Sequence, residues 1–295
     1  MLDVHRLRLL RELAYRGTIA AVARALAYTP SAVSQQLAAL EREAGVPLLE
    51  RSGRAVRLTP AARELIEHTE QVLAGLQRAD AALAAARGRL TAALHIGAFP
   101  SAARVLLPPA LVSLGADHPG LELRVTELDP MLAAEQVRSG DLDAALTHDY
   151  NLLPQPAPAA LESELVLTEP MYVAATSPPA DRRQPLASWR DAAWVMGTDG
   201  TLCRQATERA CQAAGFTPRV RHQVDDFGTV LALVAAGQGP AIVPKMAIVD
   251  GVPAQVVLTP LDLVRRTWLT HRRGAGAHPA IAALAEAVGK AVAQL

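Results

Sequence analysis

The chain has 295 residues, 51% hydrophobic and 20% charged, enough for about two domains with cores of their own and too apolar for a disordered chain. Its 29 basic residues cancel its 29 acidic ones, which excludes a polycation that coats nucleic acid by charge alone. Apolar runs such as 230–236 fall far short of the ~20 residues that cross a bilayer. The opening Met1-Leu2-Asp3-Val4-His5-Arg6 reads as a polar-studded helix rather than a signal peptide. A cytoplasmic protein without membrane contact is expected. Cys203 and Cys211 fall eight apart in one predicted helix, roughly 12 Å along its axis, too far for a disulfide, and no histidine at ligand spacing makes them a zinc site.

The distribution of charge says more than its sum. Residues 1–60 hold nine arginines against five acids, a net +4 that leaves −4 for the rest, the asymmetry of a chain with one end meeting a polyanion. In those residues Leu7, Leu10, Leu13 and Ala14 follow helical spacing up to Gly17, and Thr18 caps a second helix with Ile19, Val22, Ala23 and Leu26 on its apolar side. After a short break at Ala27-Tyr28-Thr29, Pro30 opens a third helix at the position where its missing N–H costs nothing. That helix buries Val33, Leu37 and Leu40 and turns Ser31, Ser34, Gln35 and Ala38 outward. Small polar residues there allow close entry into a DNA major groove. An ordinary surface helix of a three-helix bundle would carry the same residues. The stretch 48–59 alternates apolar and basic residues around Ser52-Gly53 and predicts a two-stranded wing, with Arg51, Arg54 and Arg57 in reach of phosphates.

A long ordered series now stands in view: Ala20-Ala21-Val22-Ala23-Arg24-Ala25-Leu26, Pro30-Ser31-Ala32-Val33-Ser34-Gln35-Gln36-Leu37, Leu40-Glu41, Gly45-Val46-Pro47-Leu48-Leu49-Glu50-Arg51 and Val56-Arg57-Leu58-Thr59. It resembles the winged helix–turn–helix of LysR-type transcriptional regulators. Ala27 stands where that family often has Gly or Asn. The resemblance implies an N-terminal all-α winged helix–turn–helix (1–58), a linker and dimerisation helix (59–88), and a C-terminal α/β effector-binding domain (89–295). The last resembles two-lobed type 2 periplasmic binding proteins, with lobes at about 91–163 plus 267–295 and 164–266. Expected DNA contacts are Thr29, Ser31, Ser34, Gln35, Arg51, Arg54 and Arg57. Expected partners are double-stranded promoter DNA, a small-molecule effector, further copies of the chain as homodimer or homotetramer, and RNA polymerase. Neither cofactor nor metal is expected.

From Thr59-Pro60 to about Arg87 few helix breakers occur. Leu58, Leu65, Val72, Ala79 and Ala86 recur every seven residues, with Ala62, Thr69, Leu76 and Leu83 between them. This is the a/d seam of a coiled coil, which makes Leu65, Val72, Leu76 and Leu83 the candidate dimer contacts. An amphipathic helix packed on its own domain would show the same rows. Gly88 is expected to end the helix.

The remainder alternates strand-like and helix-like segments, an α/β pattern that predicts mainly parallel sheets. Strands are read at 94–99, 121–128, 143–147, 165–167, 172–175, 194–196, 220–224, 241–243 and 268–271. Helices are read at 102–114, 131–139, 202–214, 227–236 and 279–295. The resemblance implies that the chain crosses between lobes near Ser163 and returns near Thr267. Ligands settle on open α/β folds where strands give way to helix N-termini. That singles out Phe99, Ser101 and the N–H of Ala102, then Thr147 and His148, Thr198 and Thr201, and Asp226 and Phe227. Asp199 and Asp226 argue against an anionic ligand and Arg104 for one, so its charge stays open. The chain shows no Gly-x-Ser-x-Gly elbow, no Gly-Lys-Ser/Thr phosphate loop and no His-Glu-x-x-His. An enzyme or a plain solute receptor is the competing class; the receptor needs neither an arginine-rich wing nor a coiled seam.

Overall fold

The computed structural model describes every residue except 53, 54, 88, 89, 91, 92 and 156, and its contacts divide it into two units, Met1–Ala79 and Asp80–Leu295. The first opens with three helices, α1 (Val4–Arg16), α2 (Ile19–Ala25) and α3 (Pro30–Ala44). Each starts where a side chain takes over an orphan N–H: Asp3 accepts from Arg6, Thr18 from Ala21 and Thr29 from Ala32. The apolar faces read from the sequence meet in one core of Leu10, Leu13, Val22, Val33, Leu37, Leu40 and Leu48. Gly45 ends α3 in the left-handed region at φ +70°. Between α2 and α3 that region is taken by Ala27, at φ +55°. The strands β1 (Leu49–Ser52) and β2 (Ala55–Leu58) form the expected antiparallel wing, with Leu49 opposite Leu58 and Glu50 opposite Arg57. Arg54 and the turn glycine Gly53 lie outside the described residues, and Arg51 is placed only by its backbone in β1.

The long helix α4 (Pro60–Ala86) is continuous, and Gly88, expected to end it, lies outside the described residues. Its heptad seam divides into two stretches. Ala62 is buried and Leu65 and Ile66 pack against the winged core, while Thr69 is buried with its hydroxyl donated to the Leu65 carbonyl. Val72, Leu76 and Leu83 are 44%, 44% and 60% exposed. Leu65, expected as a dimer contact, is half-buried and packs against the chain's own three-helix domain, which the first turns of α4 close. Val72, Leu76 and Leu83 keep the open face that the heptad pattern requires.

The second unit is built on a six-stranded sheet in the order β4-β3-β5-β10-β6-β9, from β3 (Ala93–Ala98), β4 (Glu122–Glu127), β5 (Ala144–Tyr150), β6 (Leu161–Ala175), β9 (Ala241–Pro244) and β10 (Val257–Arg272). A separate parallel pair joins β7 (Ala193–Met196) to β8 (Arg219–Gln223). The main sheet is mixed, which corrects the expectation of mainly parallel sheets: β3 runs parallel to β4 and β5, but β10 is antiparallel to β5 and β6, and β9 is antiparallel to β6. The cause is two unusually long strands. The segments read at 165–167 and 172–175 are one strand, and 268–271 is the end of another; Glu, Arg and Thr inside them interrupt the apolar runs that identify strands. These two strands carry the chain between two cores. Val166, Leu167 and Leu269 belong with the first, Met171, Val173 and Leu263 with the second. The first crossing thus falls a few residues beyond Ser163, and the second spans Thr267.

Helices α7 (Pro130–Ser139), α8 (Leu202–Ala213), α9 (Phe227–Ala235) and α10 (Pro279–Val292) stand where periodicity places them. The helix read at 102–114 is two, α5 (Pro100–Val105) and α6 (Leu107–Asp117), because Pro108 and Pro109 cannot donate to the carbonyls one turn back. Near β9, Gly239 has φ +135° and a Cβ there would lie 1.8 Å from the Ala193 carbonyl oxygen. Only glycine fits, and Val195 N–H then donates to the Pro240 carbonyl at 3.0 Å, joining β7 to the approach to β9. Among the described residues no helix is long and apolar enough to cross a membrane.

Candidate DNA interface and ligand cleft

On α3, Ser31, Ser34, Gln35 and Ala38 are all exposed, on the side opposite buried Val33, Leu37 and Leu40. Thr29 caps the helix, and its hydroxyl shares a 3.0 Å hydrogen bond with that of Ser31. Gln36, one residue round the helix, accepts from Arg6 at 2.9 Å and belongs to the packing with α1. Arg57 is exposed on the wing, as are Arg24 and Arg42 on the helices. Three acids of the same unit are turned to internal use, while Glu50, Glu64 and Glu67 are exposed. Glu12, 2% exposed, holds Arg11 and Arg16, and Glu43 pairs with Arg6. Glu41 accepts from the backbone N–H groups of Leu48 and Leu49 at 2.9 and 3.0 Å. It ties the end of α3 to the first wing strand, a role the sequence pattern contained in Leu40-Glu41 without disclosing it. A field of outward arginines around a face of small polar side chains is complementary to duplex DNA.

In the second unit a cavity of about 350 Å³ lies where the lobes meet, lined by Phe99, Ser101, His148, Thr198, Thr201 and Phe227 among others. These six of the sequence-predicted residues converge from both lobes. Three do not. Thr147 faces the opposite side of the sheet, since neighbours on a strand alternate; there its hydroxyl meets that of Thr270 at 3.0 Å and it lines a second cavity of about 850 Å³. Ala102 is buried in the first lobe's core. Asp226 caps α9, accepting from the Thr229 N–H and hydroxyl, while its neighbour Asp225 faces the cavity. Arg104 is also absent from the lining; it pairs with Asp250 and donates to the Met246 carbonyl.

The floor of the cleft is a residue the sequence did not single out. Arg265, on β10, is 1% exposed and forms an ion pair with Glu169 at 2.7 Å, 2% exposed. It also donates to the Ser101 hydroxyl at 3.1 Å and lies 4.9 Å from the Phe99 ring centroid. Glu169 also accepts from the Met246 N–H at 2.7 Å. Burial, with the nearby Arg265 charge, holds the His148 pKa well below its ordinary value, so the ring is neutral. Its Nδ1 is buried without a hydrogen-bond partner, while the buried Tyr150 hydroxyl has the Cys203 thiol for a neighbour; both residues line the cavity. Burial pushes up the Tyr150 hydroxyl and the Cys203 thiol, which lie beside each other, and raises Cys211 to about 12. Only the alternation along β10, with Arg265 inward and Arg266 outward, signals the buried arginine, and a single sequence does not show which phase faces the cleft.

An arginine-skirted winged helix–turn–helix joined in one chain to a two-lobed α/β domain with a closed-in cleft defines a ligand-responsive DNA-binding protein. The family model described as "Bacterial regulatory helix-turn-helix protein, lysR family" matches residues 4–63, and "LysR substrate binding domain" matches 87–293. The chain belongs to the LysR family of DNA-binding transcriptional regulators, whose C-terminal domain binds an effector. It is 28% identical to the transcriptional dual regulator GltC of Bacillus subtilis over 272 residues, 90% of this chain and 89% of that one. It is 29% identical to a probable hydrogen peroxide-inducible genes activator of Mycobacterium avium over 299 residues, covering 97% and 93% of the two chains. A full-length OxyR variant from Pseudomonas aeruginosa shares the fold at a TM-score of 0.61 and 23% identity, over 98% of this chain and 95% of that one.

Proposed function

We propose that this regulator docks on operator DNA through Thr29, Ser31, Ser34 and Gln35 of α3 and through the wing arginines Arg51, Arg54 and Arg57. The observation that carries the proposal is the exposed start of α3, where Ser31, Ser34 and Gln35 are small or polar, in a unit that also exposes Arg57 on its wing. One such helix reads only a few base pairs, so two copies joined along Val72, Leu76 and Leu83 would read two half-sites, as dimer or tetramer. An effector held in the cleft by Phe99, Ser101, His148, Thr198, Thr201 and Phe227 favours one lobe closure over another. That re-angles the paired winged domains and changes DNA bending or contact with RNA polymerase.

The test is a gel shift of the full chain on the intergenic DNA beside its own gene. Binding should weaken by about a thousandfold between roughly 50 and 200 mM salt if six or more phosphates are contacted. Ser34→Glu places a carboxylate against the phosphates; it should abolish the shift and leave ligand binding intact. A Ser34→Glu protein that shifts the DNA like wild type removes α3 from the groove.

A further inference from the structure

We infer that the cleft is built for a small organic cation, an ammonium or guanidinium compound with an apolar body and a hydrogen-bonding tail; this rests on the cleft being the effector site. The charged side chains lining it are Arg265, Glu127, Asp129 and Asp225. Arg265 is paired inside the protein with Glu169 at 2.7 Å, and the charge it still shows to the cleft falls on His148, which it helps to keep neutral. Among the described residues no arginine or lysine forms an ion pair with Asp129 or Asp225; Asp225 accepts from the Thr198 N–H at 2.8 Å and from the Thr198 hydroxyl at 2.6 Å, neutral donors that leave its negative charge in place. Arg104, the residue that argued for an anion, is turned away to Asp250.

Helix N-termini normally draw anions to such clefts, but here the protein supplies its own partners. Asp129 accepts from the Met131 N–H at 2.8 Å at the start of α7, Thr201 from Arg204 at 3.2 Å on α8, and Asp226 from Thr229 at 2.8 Å on α9. The starts of three helices thereby carry caps of the protein's own, the short α5 at Phe99–Ser101 has none, and the lining holds three carboxylates against the single, already paired Arg265. Deeper in, the buried and unpartnered His148 Nδ1 calls for a polar group from the ligand, since buried polar atoms are otherwise satisfied. Between them Phe99, Leu128, Met196 and Phe227 provide apolar wall. Asp129 belongs to the first lobe and Asp225 to the second, so a cation between them replaces repulsion with a bridge and draws the lobes together.

The full-length protein, titrated by ligand-observed NMR with aminopentanol, pentanediol and hydroxypentanoate, separates ammonium, neutral and carboxylate heads on one five-carbon body. The amine should bind about tenfold more tightly than the diol, and the carboxylate most weakly. Asp129→Asn keeps a helix cap; it should weaken the amine about fivefold and leave the diol unchanged. A carboxylate that binds as tightly as the amine, an amine no better than the diol, or no binding of any probe by about 50 mM overturns the inference. Thr198→Trp, which fills the mouth of the cleft, separates the two failures. Binding that it blocks but that favours the carboxylate overturns only the charge class. Binding that survives it lies elsewhere and overturns the cleft as the effector site.

Discussion

The winged domain and the ligand cleft treat charge in opposite ways. In the first, Glu12, Glu41 and Glu43 are taken up by arginines and backbone N–H groups, and Arg24, Arg42 and Arg57 face water. In the second, Arg265 is taken up by Glu169 and the carboxylates of Asp129 and Asp225 face the cavity. A chain of zero formal charge thus turns arginines outward in one unit and lines the cavity of the other with carboxylates. What matters is which partner of each ion pair is left over, not the count of charges in a segment.

The comparison meets its hardest test at Glu169. Replacing it by Gln strands the Arg265 charge in the interior and should cost the effector domain about 3–5 kcal/mol, read by chemical denaturation, with the winged domain's own transition unmoved. A loss near zero would mean that Arg265 is hydrated and its charge available to the cleft. A second test concerns His148, whose folded pKa lies below its unfolded value. The unfolded chain takes up the proton first, so this stabilisation is complete above about pH 6.5 and declines by about 1.4 kcal/mol per pH unit below it, until the folded pKa is reached. His148→Phe should flatten that slope between about pH 6.5 and 5; an unchanged slope would assign the acid sensitivity to other groups. The smallest effect belongs to the winged domain. Ala27 at φ +55° carries the left-handed penalty of about 1–2 kcal/mol that glycine escapes, against glycine's extra unfolded-state entropy of about 0.5–1 kcal/mol. Ala27→Gly should therefore stabilise the domain by about 0.5–1 kcal/mol in thermal melts, and a destabilised variant would show the turn to be unstrained.

The two regions also differ in how openly the sequence displays them. The α3 face is made by residues three, four and seven apart, and Ser31, Ser34, Gln35 and Ala38 follow from helical period and a proline start alone. The wing is equally local, with Glu50 paired to Arg57 across one turn. The cleft joins Ser101 to Arg265 across 164 positions. Strand-end reasoning found Ser101, His148, Thr198, Thr201 and Phe227 because helix starts are marked by caps. It missed Arg265, Tyr150 and Asp225, whose roles depend on which strands lie side by side. It misplaced Thr147 by one residue, which on a strand is a change of face. The seam on α4 was legible as a heptad, but whether a heptad position packs on its own domain or stays open is decided by what lies beside it, as half-buried Leu65 and exposed Leu76 illustrate.

The alternation that removed Thr147 from the cleft also gives the molecule an optical handle. Asp149, one step beyond His148 on β5, accepts the indole N–H of Trp268 at 3.2 Å and both nitrogens of the Arg266 fork, while His148 itself faces the ligand side. The chain's other two tryptophans are linked to each other, Trp194 donating to the Trp189 carbonyl in the second lobe. Trp268 alone sits on the reverse of the strand that carries His148, so its emission registers any tilt of that strand from behind, without a label attached and without a probe standing in the ligand's way.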